Sequence, residues 1–241
     1  MLSNLRFIKM YAAEVYKSDQ VNYSFQYIWS LIKFFPSWIN NINTNKKSLE
    51  DEIPWITFTA LEWLNNNIKP EMRVFEYGSG GSTLYFVKKV KEVVTVEHDN
   101  DWAIRIKNIL AKSSFKNYKI LLKEPRKIPN ESRNSNDPNS YLSGNCIYSG
   151  LSFDKYVCTI DQFPDEYFDI ILIDGRARHS SLRHSIKKVK PNGSMILDNS
   201  ERQRYSNSIS NLNLIKWKRK DFFGPGPYNL YFWQTTVWIR E

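Results

Sequence analysis

The chain has 241 residues, 41% of them hydrophobic, and carries a formal net charge of +9 with a pI near 9.4. This length suits one α/β domain of about 150 to 200 residues plus an extension. The two cysteines, Cys146 and Cys158, match no metal-binding spacing, and their number excludes a disulfide-rich secreted framework. We therefore expect unpaired thiols and a cytoplasmic protein. The basic charge favours an anionic partner, such as an acidic glycan, a membrane surface or a nucleic acid, although a lysine-rich composition explains it equally well.

Residues 1–50 form a separate extension that is rich in aromatic residues. They lack the small-residue cleavage site of a signal peptide. Polar residues interrupt the most apolar window, residues 21–39, whereas a membrane-spanning helix needs about 20 mainly apolar residues. Two interpretations remain: helices that cover one edge of the following domain, or an interfacial amphipathic anchor that makes peripheral membrane contact. Residues 41–47 are predicted to be a polar linker to the domain at residues 51–241.

A helix and a glycine-rich turn come next. Residues 54–64 carry apolar residues at helical spacing, with a proline tolerated in the first turn. In residues 73–86 (RVFEYGSGGSTLYF) a short apolar run, a turn and a second helical pattern follow one another, as in a nucleotide-binding crossover. Glycines let a ligand lie directly against the backbone, so we expect an adenosine-type site, although a tight turn without a ligand would contain the same residues. The predicted contacts are Gly78, Ser79, Gly80 and Ser82.

A second acidic position supports this interpretation. Residues 92–97 (EVVTVE) are predicted to be a buried strand that ends in Glu97. Glu97 lies 19 positions after Gly78, close to the offset of about 20 at which dinucleotide-binding folds place the carboxylate that bonds a ribose diol. The alternative is a solvated glutamate at a strand end.

The remaining elements alternate between strands and helices until the end of the chain. Residues 124–150 interrupt this pattern with prolines, asparagines and serines, and they are predicted to form either a mobile lid or a disordered insertion. The other predicted elements are helices at 100–112 and 179–188 and strands at 118–122, 170–173, 191–199, 212–218 and 231–239.

Taken together, these segments resemble a class I S-adenosylmethionine-dependent methyltransferase. The resemblance covers residues 54–239 and rests on the glycine turn, Glu97, FDIILIDG at 168–175, KPNGSMILDN at 190–199 and the two-strand tail. It implies an α/β, Rossmann-like three-layer sandwich whose seven-stranded, mostly parallel sheet has an antiparallel last strand. It also implies S-adenosylmethionine as the cofactor, with Glu76, Gly78 and Gly80 beside its methionine part, Glu97 on its ribose and Asp161 near its adenine.

Polar residues at the ends of two later strands indicate a place for the acceptor. Ligands bind at the carboxyl ends of parallel strands, where Asp174, Asp198 and Asn199 should converge. Their oxygen atoms suit Mg²⁺ or another divalent cation, and the set resembles the metal site of the catechol, caffeoyl-CoA and macrocin types of O-methyltransferase. The alternative is a pair of ordinary strand-end aspartates in a metal-free methyltransferase.

The resemblance does not identify the general base, because this chain lacks the lysine that the similar enzymes carry. The catechol and caffeoyl-CoA enzymes carry a lysine three residues after the first aspartate, but Ala177 stands there in this chain. A neutral imidazole can accept a hydroxyl proton, so His179 is the candidate base, the alternative being a surface or capping group. Arg176 and Arg178 are candidates for binding an anionic acceptor, and their alternative is solvated charge.

The predicted function is therefore methyl transfer from S-adenosylmethionine to a hydroxyl of a sugar, a glycan or another acceptor, with assistance from a divalent metal. An NAD-dependent oxidoreductase is an alternative, but Thr83 replaces the third glycine of its G-x-G-x-x-G turn. A non-catalytic cofactor-binding protein also remains open. The absence of an Asn/Asp-Pro-Pro-aromatic motif and of a basic strip with interleaved aromatics argues against a nucleic-acid substrate.

Overall fold

The structure is a computed structural model that describes residues 4–17, 24–44, 46–129, 134, 136–213 and 217–241. The helices of the described residues are α1 (Asn4–Lys17), α2 (Phe25–Thr44), α3 (Ser48–Asp51), α4 (Phe58–Asn67), α5 (Gly81–Val87), α6 (Asn100–Ala111), α7 (Asp154–Val157), α8 (Arg178–Ser185) and α9 (Ser206–Asn213). The strands are β1 (Arg73–Tyr77), β2 (Glu92–Glu97), β3 (Tyr118–Leu122), β4 (Arg126–Lys127), β5 (Leu151–Ser152), β6 (Phe168–Ile173), β7 (Val189–Asp198), β8 (Trp217–Gly224) and β9 (Trp233–Arg240).

Seven of these strands form one sheet in the order β3-β2-β1-β6-β7-β9-β8. The neighbours from β3 to β7 pair in parallel, whereas β9 runs antiparallel to both β7 and β8. This confirms the predicted mostly parallel sheet with an antiparallel last strand. β4 and β5 form a separate two-stranded ribbon.

Helices cover both faces of the sheet. Successive side chains of a strand point to opposite faces, and in β1 Val74 packs in one apolar cluster while Phe75 and Tyr77 pack in another. The first cluster includes side chains from α4, α5 and α6, and the second includes side chains from α7, α8 and α9. The predicted three-layer α/β sandwich is therefore observed.

The parallel strands place their carboxyl ends side by side. Tyr77, the last residue of β1, pairs with Val96 in β2 and with Ile173 in β6, and Ile173 pairs with Leu197 in β7. Everything that directly follows these four strands therefore meets at one edge of the sheet.

Helices α1 and α2 pack on the domain rather than apart from it. Trp38 is fully buried, and its Nε1 donates to the carbonyl oxygen of Asn229 at 2.9 Å. Tyr11 makes an edge contact with Phe232 at 4.9 Å between ring centroids. Both helices therefore contact the domain that follows them.

Two boundaries differ from the predictions. Helix α2 continues to Thr44, within the segment predicted as a linker, because Asn41 is tied to the tail: its Oδ1 accepts from the backbone N of Tyr228 at 2.7 Å. Part of the predicted strand 212–218 is helix α9, whose buried Ile209 and Leu212 lie three residues apart on one face. Residues 214–216 lie outside the described residues.

We also find no helix in the described part of the chain that is long and apolar enough to cross a membrane.

Candidate functional site

The glycine turn between β1 and α5 requires glycine at its first position. Gly78 has φ +92°, and a Cβ added there would lie 3.0 Å from the Cα of Gly175. A Cβ on Gly80 would meet no heavy atom within 4 Å. The turn therefore packs tightly against the β6 side and leaves open space beside Gly80.

This asymmetry gives a matched pair of predictions. We expect Gly78→Ala to lower the free energy of unfolding by about 1–3 kcal/mol, because a left-handed conformation is strained for alanine and the contact with Gly175 is close. We expect Gly80→Ala to leave stability nearly unchanged, since its backbone φ of 171° is extended and its surroundings are open. Urea unfolding of both variants measures the difference, and equal losses in the two would contradict the prediction.

The buried carboxylate of Glu76 holds the glycine turn in place through hydrogen bonds. Its carboxylate accepts hydrogen bonds from the hydroxyls of Ser82, of Thr83 at 2.6 Å and of Thr95 at 2.8 Å. Glu76 is fully buried and does not line the adjoining cavity. The structure thus gives Glu76 a role in holding the turn, and it does not bring the carboxylate to the position expected for direct contact with a cofactor.

Glu76 also makes stability depend on pH. Burial raises its pKa to about 7 from an ordinary 4.5, against the hydrogen bonds that lower it. Because the folded pKa is raised, the stabilisation is complete below pH 4.5 and is lost as the pH rises through 7. Between pH 5 and pH 8 we expect the wild type to lose about 2 kcal/mol of unfolding free energy relative to Glu76→Gln. Urea unfolding at the two pH values tests this, and parallel pH profiles of the two proteins would refute it.

Glu97 lies at the carboxyl end of β2 and faces the turn. Its Oε2 accepts from the backbone N of Ser79 at 2.8 Å and from the Ser79 hydroxyl at 2.7 Å. Its Oε1 accepts from the backbone N of His98 at 2.6 Å and of Asp99 at 3.0 Å. Burial raises the pKa of Glu97, but these hydrogen bonds and His98 outweigh it and lower the pKa to about 2. Glu97 is thus a carboxylate at neutral pH, held in a fixed orientation.

One cavity of about 810 Å³ opens at this edge of the sheet. It brings together most of the predicted site residues, namely Gly78, Ser79, Gly80, Ser82, Glu97, Asp174, Arg178, Asp198 and Asn199. Glu76, Asp161 and His179 do not line it. The turn and Glu97 occupy one part of its wall, and the residues after β6 and β7 occupy another.

Arg178 lies among the three residues predicted to hold a metal ion. Its Nη2 donates to Asp174 Oδ1 at 2.7 Å and to the Asp174 carbonyl oxygen at 2.8 Å. Its Nη1 donates to the Asp198 carbonyl oxygen and to Asn199 Oδ1 at 3.3 Å, and it lies 3.6 Å from Asp198 Oδ2. The other carboxylate oxygen of Asp198, Oδ1, accepts from Trp233 Nε1 at 2.7 Å. A guanidinium thus already contacts the oxygen atoms that a cation would need.

The charges of this group depend on one another. Burial raises the pKa of both Asp174 and Asp198, and the neighbouring guanidinium opposes this effect. Burial would lower the pKa of Arg178, but the two carboxylates raise it above its ordinary value. Arg178 has 10% of its side chain exposed, so it is a largely buried cation that interacts with two carboxyl groups.

These residues do not fit a divalent ion while Arg178 is present. An ion between Asp174, Asp198 and Asn199 would compete with the guanidinium for the same oxygens, and two cations in one buried site repel. The geometry gives the predicted metal site no support. Within the described ranges, the one group of three or more histidine, cysteine or acidic side chains close enough to share an ion is Cys158, Asp161 and His184, which lies outside the cavity.

Asp161 belongs to that other group. Its Oδ2 lies 2.7 Å from His184 Nδ1, and the other ring nitrogen of His184 lies 3.2 Å from the hydroxyl of Tyr141. Asp161 therefore does not reach the cavity that Glu97 lines, and the structure does not support its predicted contact with adenine.

His179 is a buried side chain rather than a wall of the large cavity. It is 1% exposed, it stacks on Tyr205 at 6.4 Å between ring centroids, and neither ring nitrogen has a hydrogen-bond partner among the described residues. Burial and the charge of Arg204 lower its pKa to about 4. It lines a smaller neighbouring cavity. The predicted general base therefore lies outside the larger cavity, although Arg178 lines both cavities.

Aromatic residues that the sequence interpretation did not single out form much of the remaining wall. They are Trp55, Trp102, Tyr148, Tyr228 and Tyr231. Trp102 Nε1 donates to the carbonyl oxygen of Ser79 at 2.7 Å, so it braces the turn from helix α6. Trp55 and Tyr228 meet edge to face at 5.3 Å. Scattered positions give no periodic signal, which is why the sequence did not identify them.

The predicted insertion 124–150 contributes to this wall. The hydroxyl of Tyr148 lies 2.9 Å from His98 Nε2, and the guanidinium of Arg176 lies 4.8 Å from the centre of the Tyr148 ring. The described end of the segment therefore contributes Tyr148 to the wall of the cavity, and the prediction of a lid or a disordered insertion stays a prediction. Residues 130–133 and 135 lie outside the described residues.

Comparison with solved structures identifies the fold. A protein described as a methyltransferase, from Streptococcus mutans and in complex with SAH, has a TM-score of 0.50 at 9% identity, over 80% of this chain and 98% of that one. A protein described as an rRNA methylase from Clostridium thermocellum gives 0.53 at 8% identity, over 76% and 94%. An rRNA methylase from Streptococcus thermophilus gives 0.50 at 8% identity, over 76% and 95%. No family model and no curated protein matches the chain.

At these identities the comparison shows a shared fold, and the strand order agrees with it. The chain has the Rossmann-like fold of class I S-adenosylmethionine-dependent methyltransferases.

Proposed function

We propose that the protein is an S-adenosylmethionine-dependent methyltransferase that acts on a hydroxyl of a sugar, a glycan or a similar polyol. The observation that carries the proposal is the single cavity in which the glycine turn and Glu97 share a wall with Arg178, Asp174 and Asn199. The part of the cavity beside the glycine turn and Glu97 is suited to a nucleoside, and the part beside Arg178, Asp174 and Asn199 is suited to a hydroxylated acceptor.

Residues of the turn would hold the cofactor. The open space beside Gly80 admits a ligand against the backbone, and the ionised Glu97 can accept hydrogen bonds from a ribose diol. The Ser79 hydroxyl now occupies Glu97 Oε2, so a ribose hydroxyl would replace it after rotation of the Ser79 side chain. The bound cofactor supplies an electrophilic methyl group, and the chain supplies its position relative to the acceptor.

The acceptor would lie between aromatic rings and polar groups. Trp55 and Tyr231 have 42% and 49% of their surface exposed although they line the cavity. Exposed rings can cover the apolar C–H face of a sugar, while Asn199 and Asn229 offer hydrogen bonds to its hydroxyls. Lys46, Lys47 and Arg176 add positive charge to the same wall, which favours an acceptor with an anionic group.

The geometry favours Asp174 over His179 as the group that receives the hydroxyl proton. Asp174 lines the cavity and keeps 27% of its side chain exposed. Its raised pKa makes its carboxylate a stronger base than an ordinary aspartate. Arg178 would hold the Asp174 carboxylate in place, and no metal ion would be needed to position it.

Two experiments test the proposal. Calorimetry of the purified protein with S-adenosylmethionine and with NAD should show binding of the first alone, and preferential binding of NAD would favour an oxidoreductase instead. The protein is then incubated with S-adenosylmethionine, with and without Mg²⁺, and with sugar nucleotides, glycans or phenols. Formation of S-adenosylhomocysteine together with an acceptor that has gained one methyl group supports the enzyme. Tight cofactor binding without turnover on any acceptor would favour a non-catalytic binding protein.

Variants then locate the acceptor. Trp55→Ala and Tyr231→Ala should raise the KM for the acceptor at least tenfold while leaving the affinity for S-adenosylmethionine within about twofold, since each ring contributes roughly 1–2 kcal/mol of contact. A matched control is Ile104→Ser, which changes an exposed apolar residue on α6 that does not line the cavity. Loss of cofactor affinity in the two aromatic variants would show that they serve the other region of the cavity.

A further inference from the structure

Helices α1 and α2 expose an unusual share of the large apolar side chains. Eleven such residues are exposed in the described part of the chain, and six of them lie on these two helices: Ile8, Tyr16, Phe25, Ile28, Trp29 and Ile32. Phe25 is 82% exposed, Ile32 63% and Trp29 58%. Single exposed apolar residues are common, but a cluster of this kind marks an interaction surface.

The residues of α2 form one stripe that faces away from the domain. Phe25, Ile28, Trp29 and Ile32 follow the 3- and 4-residue spacing of one helix face. The buried residues of α2, Leu31 and Trp38, lie on a different face of the helix and pack in one cluster with Phe58 and Phe232 of the domain. The helix is therefore apolar on both sides, and the outer stripe, defined here by these four residues, is not needed to hold α2 in place.

Basic residues accompany the stripe. The first 47 residues contain six lysines and arginines and two acidic residues, and Arg6 and Lys9 are exposed on α1. An exposed apolar helix face with Trp and Phe, in a segment with an excess of basic residues, is the pattern of a helix that lies in a membrane interface. A second copy of this chain would bring the same positive charges together, so charge complementarity favours an anionic surface.

We propose that the outer stripe of α2, together with the basic residues of α1, docks the protein on an anionic lipid surface. The helices lie in the interface rather than across the bilayer. Lys46 and Lys47, which line the cavity, follow the other end of α2. This inference does not depend on the catalytic activity.

Vesicle sedimentation tests the proposal with the full chain. The wild type should sediment with phosphatidylcholine vesicles that contain 30% phosphatidylglycerol and at least tenfold less with pure phosphatidylcholine. The double variant Phe25→Ser/Trp29→Ser should lose at least tenfold of the binding, while the matched control Ile104→Ser/Ile147→Ser, which changes exposed apolar residues outside α1 and α2, should bind like the wild type. Circular dichroism and thermal unfolding verify that both variants fold.

Three outcomes would overturn the inference. The first is no sedimentation of the wild type with anionic vesicles, and the second is equal sedimentation of the wild type and the stripe variant, which would assign binding to charge alone. The third is a wild-type dimer in light scattering that the stripe variant converts to a monomer, since the stripe would then bind a second copy of the chain. Because vesicle binding needs no methyl donor, these results are independent of the test of the proposed function.

Discussion

Arg178→Ala is expected to destabilise the protein by about 3–5 kcal/mol, because removing one member of a buried charge group leaves the others without compensation. In the wild type the guanidinium hydrogen-bonds Asp174 and Asn199 and lies 3.6 Å from Asp198. Without it, two carboxylates and an amide oxygen surround a vacated space, and oxygen ligands of this kind bind Mg²⁺ or Ca²⁺. We therefore expect the variant to acquire cation binding that the wild type lacks.

The measurement is thermal or urea unfolding with and without 10 mM MgCl₂. Mg²⁺ should restore part of the lost stability in Arg178→Ala, by about 3 kcal/mol if its concentration is a hundred times the dissociation constant, and should leave the wild type unchanged. Arg176→Ala is the control, since Arg176 also lines the cavity but contacts the ring of Tyr148. Isothermal titration with Mg²⁺ gives a second readout that needs no enzymatic activity.

Two results would contradict this account of Arg178. Binding of Mg²⁺ by the wild type with an affinity similar to that of the variant would show that a metal ion and the guanidinium can be accommodated together. A loss of stability no larger than that of Arg176→Ala would show that Arg178 is not the compensating charge. In either case the predicted metal site would have to be considered again.

The centre of the sheet was predictable from sequence because its central strands are buried on both faces. Runs such as EVVTVE and FDIILI are too apolar and too β-branched for an edge; the first ends in Glu97, and Asp174 directly follows the second. Once the strands are parallel, their carboxyl ends must meet, so the positions of Gly78, Glu97, Asp174 and Asp198 follow from the chain order. The nine predicted residues that line the cavity come from this argument.

The contacts inside the site were not predictable in the same way. Whether Asp174 binds an ion or a guanidinium depends on the orientation of the Arg178 side chain at the start of α8. The spacing of residues along the chain does not predict that orientation. Glu76 lies near the end of β1 and His179 near the start of α8, as the sequence predicts, but neither side chain lines the cavity. The segment SNSISNLN has low helical propensity and folds as α9 because Ile209 and Leu212 are buried by the tertiary structure.

Replacement of the Ser79 hydroxyl by a ligand hydroxyl on Glu97 leads to a second prediction, which concerns the affinity for S-adenosylmethionine. If a ribose diol takes the place of the Ser79 hydroxyl on Glu97 Oε2, Glu97→Gln should weaken S-adenosylmethionine binding about 100-fold, because a charged acceptor of two hydrogen bonds contributes about 3 kcal/mol. Ser79→Ala should bind the cofactor as tightly as the wild type or up to tenfold more tightly, since no internal hydrogen bond has to be broken. The backbone N of Ser79 still donates to Glu97 in this variant, which keeps the turn in place.

Calorimetry with S-adenosylmethionine and, separately, with adenosine distinguishes the explanations. Both ligands carry the ribose, so both should lose affinity in Glu97→Gln if the carboxylate binds the diol. A loss in Ser79→Ala as large as that in Glu97→Gln would instead mean that the Ser79 hydroxyl itself contacts the ligand. The hydroxyl of Ser79 and the carboxylate of Glu97 are hydrogen-bonded at 2.7 Å, yet only the loss of the carboxylate should weaken cofactor binding. This difference separates a ribose site at Glu97 from a structural contact that merely closes the turn.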